Sequence, residues 1–179
     1  MRRLRADNIS GRSKEAHLSE VVARLVEWIQ LGGSEAELVV SVTGGDVAVL
    51  ATESGLLLAL HLLVRSFPEG EGRMLHFGVG AEEVLRSKWS VDGGVVKMGK
   101  VVLECRGVQG TAWPEFELND LLNRFYERPV SPRERRVMAA WEIIRKVSGR
   151  PSPRLSFENC PREDSPRVVL WLPVAVDCS

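Results

Sequence analysis

Leu18, Val21, Val22, Leu25, Trp28 and Ile29 recur at offsets of three and four, with charged or small residues between them. That spacing stacks the apolar side chains into one stripe and predicts an amphipathic helix, preceded by Ser13 and ended by Gly32-Gly33. Before it, Leu4 and Ala6 alternate with charged neighbours up to Asp7, a short strand pattern. After it, Leu38–Thr43 is alternating and β-branched, Gly44-Gly45 follows, and Val47–Ala51 is apolar again. Two short runs around a Gly-Gly turn predict a β-hairpin. Gly55–Phe67, with Ser54 as its cap, predicts a second helix, apolar on nearly every face and therefore buried. Met74–Val79 predicts a strand that runs into Gly78-Val79-Gly80, while Ala81–Lys88 fits a helix or a strand equally.

Asp92-Gly93-Gly94 marks a turn, and Val95–Cys105 again fits either element. Phe116–Tyr126 carries Leu118, Leu121, Leu122 and Phe125 on one helical face. Ser131-Pro132-Arg133-Glu134 is a capping box with proline at the first helical position, and Val137, Ala140, Trp141, Ile144 and Val147 give the buried stripe that follows. Gly149 and Pro151 stop that helix, and the prolines beyond it surround one apolar run, Val168–Leu172, read as a strand. Strand, helix, hairpin, helix, strand and a late helical segment predict an α+β fold with helices on one face of a sheet. The expected division is a sheet domain over residues 1–112, a basic helical appendage over 113–150, and a Pro-rich tail with one strand over 151–179.

Composition narrows the class. The chain has 179 residues, 44% of them apolar, with 24 basic against 24 acidic residues. It is a globular chain, neither a disordered tail nor a uniformly basic nucleic-acid binder. No run reaches the roughly 18 apolar residues of a membrane span, and Met1–Asp7 opens no signal core, so a cytoplasmic protein is expected. Cys105, Cys160 and Cys178 are odd in number and far apart, which suits reduced thiols and neither a disulfide framework nor a zinc site. The neutrality is a cancellation. Residues 124–154 hold nine basic side chains against three acidic, and residues 35–83 hold eight acidic against two basic.

Candidate chemistry rests on two carboxylates. Asp7 ends the first strand pattern, and Asp46 directly follows the Gly-Gly turn. On neighbouring strands the pair would suit Mg²⁺, which takes one or two carboxylates plus substrate phosphates. The alternative is that both are ordinary turn residues. Trp28 and Trp141 fall on apolar helix faces and read as core. Gly94 to Lys100 matches part of a phosphate-binding loop, but Val101 stands where the Mg²⁺-holding hydroxyl belongs.

Ala6-Asp7-Asn8-Ile9-Ser10-Gly11-Arg12, Val42-Thr43-Gly44-Gly45-Asp46, Leu75-His76-Phe77-Gly78-Val79-Gly80 and Ser90-Val91-Asp92-Gly93-Gly94, in this order, resemble the palm-type nucleotidyl cyclase fold of class III cyclases. The resemblance is greatest to SatD-family proteins. It implies a ferredoxin-like palm sheet, Mg²⁺ on Asp7 and Asp46, and nucleotide contacts from Gly44 and Gly45 and from Lys97 and Lys100. It also implies ATP or GTP as substrate, a cyclic nucleotide as product, and a homodimer. Val95–Lys100 lacks the Asn and Arg that class III cyclases carry in the corresponding segment. An inactive cyclase-like regulator is therefore the alternative, binding nucleic acid or a protein partner through Arg133, Arg135 and Arg136.

Overall fold

A computed structural model describes residues 15–33, 36–42, 46–85, 94–108, 131–160 and 165–175. The strand expected near Asp7, the Gly44-Gly45 turn and the helix expected over 116–126 lie outside these residues. Among the described residues no helix is long and apolar enough to cross a membrane.

Helix α1 spans Leu18–Leu31 and buries Leu18, Val21, Val22, Leu25 and Ile29, the stripe that the spacing predicts. Trp28 departs from it, with 40% of its surface exposed. Ahead of α1, β1 (Glu15–His17) pairs antiparallel with β3 (Ala48–Leu50). Strand β2 (Glu37–Val42) lies parallel to β4 (Met74–Leu85), with Val39 opposite His76. The expected hairpin between β2 and β3 is thus replaced by two separate pairings. A glycine turn can reverse the chain, but partners are set by the apolar surface each strand must bury, and Val47 and Val49 are buried in the core. Two parallel strands need a crossover, and here it contains β3 and α2 (Glu53–Ser66).

Strand β5 (Val95–Arg106) runs antiparallel to β4 over its full length, so both ambiguous segments become one long ribbon. Leu75, Phe77 and Val79 face Cys105, Leu103 and Val101 across it, and all six are buried. Strand β7 (Pro166–Pro173) adds Val168, Leu170 and Leu172 to the same core. Strand β6 (Arg154–Asn159) closes the edge, giving the order β2-β4-β5-β7-β6. Helix α3 (Pro132–Val147) contributes Val137, Ala140 and Ile144 to that core beside α1 and α2.

The α+β class with helices on one sheet face is therefore observed, while the ferredoxin-like palm is not this sheet. The segment expected as an appendage supplies a core helix, and the expected tail supplies two strands, one of them interior. Close approach depends on two glycines. A side chain at Gly99 would reach within 2.5 Å of Val49 and 3.0 Å of Leu18, and one at Gly55 would collide with Val147. Gly99 lets the small β1–β3 pair settle on the sheet, and Gly55 lets α2 close on α3.

Candidate functional site

Asp46 is held at the start of α1. Its Oδ1 accepts hydrogen bonds from Ser19 N at 3.2 Å, Ser19 Oγ at 2.6 Å and Val47 N at 2.9 Å. His17 Nδ1 donates to its Oδ2 at 2.5 Å. Helix α1 has no cap from its own N-cap side chain, so a carboxylate from a distant segment satisfies its first turn. Burial pulls the Asp46 carboxyl upward, but the bonds from Ser19 and His17 outweigh it and leave the pKa below the ordinary value. The hydrogen bond and charge of Asp46 in turn raise His17. Ser19 bonds the carboxylate and not the imidazole, so these three groups are a helix cap and not a nucleophilic triad. Asp7, the other expected metal ligand, lies outside the described residues, as do Gly44 and Gly45.

Lys97 and Lys100 are three apart on β5, which puts them on opposite faces of the strand. Lys100 pairs with Glu82 at 2.9 Å and lies 5.9 Å from the Trp171 ring centre. Trp171 Nε1 donates to the same Glu82 carboxylate at 2.8 Å. The two lysines do not form one phosphate cradle. On the sheet face away from the helices, Glu104 is 2% exposed. It accepts bonds from Arg106 at 3.0 and 3.3 Å, Ser165 at 2.8 Å and Arg167 at 3.4 Å. Burial pulls its pKa upward, and these donors bring it below the ordinary glutamate value.

Basic groups gather where β5 and α2 end and α3 begins. Ser131 and Glu134 form the expected capping box: Ser131 Oγ accepts from Glu134 N at 3.2 Å, and Ser131 N donates to Glu134 Oε2 at 2.7 Å. The box orients the first turn of α3, which carries Arg133, Arg135 and Arg136. Arg136 donates to the Arg65 carbonyl at 2.7 Å, on the last turn of α2. Arg133 is near enough to Cys105 for its charge to act on the thiol, although burial dominates and pushes that thiol up. Arg135 is exposed.

Mg²⁺ requires carboxylates free to ligate. Among the described residues no three His, Cys, Asp or Glu side chains stand together. Asp46 caps α1, Glu53 pairs with Arg24, and Glu82 and Glu104 face cations. These four carboxylates are thus engaged by protein groups.

A further feature escapes the hydropathy pattern. Trp28 lies flat against His61 of α2, ring centres 4.0 Å apart and planes within 5°. The offset of Trp28 from the buried stripe is small, so periodicity alone assigned it to the core.

No family model and no curated protein matches the chain. Solved structures do. The mycobacterial sensor histidine kinase MprB superposes with a TM-score of 0.64 at 16% identity, covering 89% of this chain and 96% of that one. The catalytic domain of histidine kinase ThkA gives 0.60 at 15% identity, covering 89% and 94%. The ATP binding domain of PrrB from Mycobacterium tuberculosis gives 0.56 at 16%, covering 90% and 97%. At these identities the likeness is one of fold. It corrects the cyclase reading: the architecture is that of histidine kinase ATP-binding domains, and neither the palm cyclase fold, the SatD likeness nor the cyclic-nucleotide product survives it. The inactive cyclase-like regulator, offered as the alternative, falls with that fold. Of the short motifs that carried the resemblance, Leu75–Gly80 lies inside β4, and the others fall wholly or mostly outside the described residues.

Proposed function

We propose that this chain is a nucleotide-binding module of the histidine kinase ATP-binding fold, taking an adenine nucleotide such as ATP. The observation that carries the reading is the likeness of fold, over 89% and 90% of this chain, to the catalytic domain of ThkA and the ATP binding domain of PrrB. The positive charge at the junction of α2 and α3 supports it. Arg133 and Arg136 stand at the start of α3, and Arg136 reaches the end of α2. Guanidinium groups match phosphate oxygens in charge and geometry. The phosphates in this reading rest on arginine.

Titration calorimetry of the full chain with ATP, with and without Mg²⁺, tests it. ATP is expected to bind under both conditions. Arg133→Ala with Arg136→Ala is expected to weaken binding at least about tenfold, or about 1.4 kcal/mol. Circular dichroism of the double variant confirms that it is folded. Absence of binding up to about 1 mM ATP, or equal binding by the folded double variant, overturns the reading.

A further inference from the structure

A concave surface lies on the α1 side of α2, and no arginine of α3 is among its described lining residues. It is a cleft of about 570 Å³, and Trp28 and Gly33 line one wall, His61 and Arg65 another, and Glu69 and Arg73 its end. Its volume falls in the range of small-molecule sites, about 300–1,000 Å³. Three features set it apart from an incidental surface groove.

The first is the aromatic platform. Trp28 and His61 are stacked in parallel, yet two-fifths of the tryptophan surface remains exposed. Exposing a large aromatic ring forgoes favourable burial, so an exposed, oriented indole at a cleft is informative. Burial, aided by the Arg65 charge, lowers the His61 pKa, so the platform is neutral near pH 7. The second is uncompensated charge. Ion pairs among the described residues engage Arg24, Lys100, Arg106, Arg145 and Arg167. Neither Arg65 nor Arg73 has such a partner there, and Glu69 is the one carboxylate among the described lining residues. Arg73 donates from Nη2 to the Val64 carbonyl at 3.2 Å and bonds the Cys105 thiol, while its Nε is buried with no hydrogen-bond partner. The third is the open mouth. Gly33, at φ +73°, has no heavy atom within 4 Å of where a side chain would begin.

We propose that this cleft binds a small planar aromatic anion, its ring against the Trp28–His61 platform and its carboxylate or phosphate against Arg65 and Arg73. A neutral aromatic satisfies only the platform, and a non-aromatic anion only the guanidinium groups. Charge-assisted bonds to two arginines and ring stacking act on opposite ends of one molecule, which selects for ligands carrying both.

The test titrates the isotope-labelled full chain with indole-3-acetate and, separately, phenyl phosphate. The readout is the indole N–H resonance of Trp28, assigned from its loss in Trp28→Phe. A saturable shift is expected with at least one probe, and the stronger arm identifies the preferred acidic group. Cyclohexylacetate and inorganic phosphate are expected to bind at least about tenfold more weakly. Arg65 is exposed, so Arg65→Ala is expected to fold and to weaken the aromatic probe about tenfold. Saturating ATP is expected to leave the titration unchanged, whether or not ATP itself binds. No saturable Trp28 shift up to about 10 mM probe, unchanged affinity in Arg65→Ala, or displacement of the probe by ATP overturns the proposal.

Discussion

Glu104 is the residue whose environment is most specific. Its carboxylate is buried, and removing it strands Arg106 and Arg167 beside an unfilled space. Breaking a buried pair from one side costs about 3–5 kcal/mol, so Glu104→Ala is expected to lower the unfolding free energy from urea denaturation by that amount; a loss under about 1 kcal/mol would mean that the network is solvated. Asp46 and His17 make a second residue-scale prediction. The raised His17 stabilises the fold fully below its ordinary pKa of 6.5, and this is lost as pH rises through the raised value. The lowered Asp46 stabilises fully above its ordinary 3.8, and this is lost as pH falls through the lowered value. The Tm gap between wild type and Asp46→Asn should therefore be widest between 3.8 and 6.5, and narrow as the pH climbs past the raised His17 value. A gap independent of pH would remove the coupling. Asp46 was visible in the sequence as a lone carboxylate after two glycines. Its partners were not, because His17 and Ser19 are 29 and 27 residues away.

Elements were legible in proportion to how local their causes are. The start of α3 could be read residue by residue, since a capping box closes within four positions. Ser131→Ala should cost about 1 kcal/mol, read by thermal melting, and an unchanged melt would show that α3 is held by packing alone. The hairpin failed for the opposite reason. Its glycine turn was real as a local signal, but β2 needed β4 and β3 needed β1. Gly99 marks that tertiary choice. Gly99→Val should push β1 and β3 off β5 and cost at least about 1–3 kcal/mol as overpacking, measured by chemical denaturation. A neutral result would mean that the β1–β3 pair does not rest on the sheet.

At the scale of the molecule, the described helix of the basic region packs into the common core. Strand β7 lies between β5 and β6, and α3 shares one core with α1 and α2. A chain ending at residue 130 is therefore expected to lack a cooperative unfolding transition in circular dichroism; a cooperative transition would restore the two-part organisation. The opposed charges of the two halves, clear in composition, also change meaning. Residues 35–83 run through β2, β3, α2 and most of β4, and α2 meets the basic α3 through the bond from Arg136 to the Arg65 carbonyl. The excess arginines that remain at that junction are what the nucleotide reading uses.

Amphipathic period, caps and breakers determined α1, α2, α3 and the mixed α+β class, because each is fixed by side chains within a few turns of one another. Strand partners, the place of β7 inside the sheet and the pairing of Trp28 with His61 were decided only in three dimensions. A strand's apolar alternation says that one face is buried, but not against which neighbour. That choice follows from how all the apolar faces can be covered at once, and it turned a sequence of cyclase-like motifs into the fold of a histidine kinase ATP-binding domain.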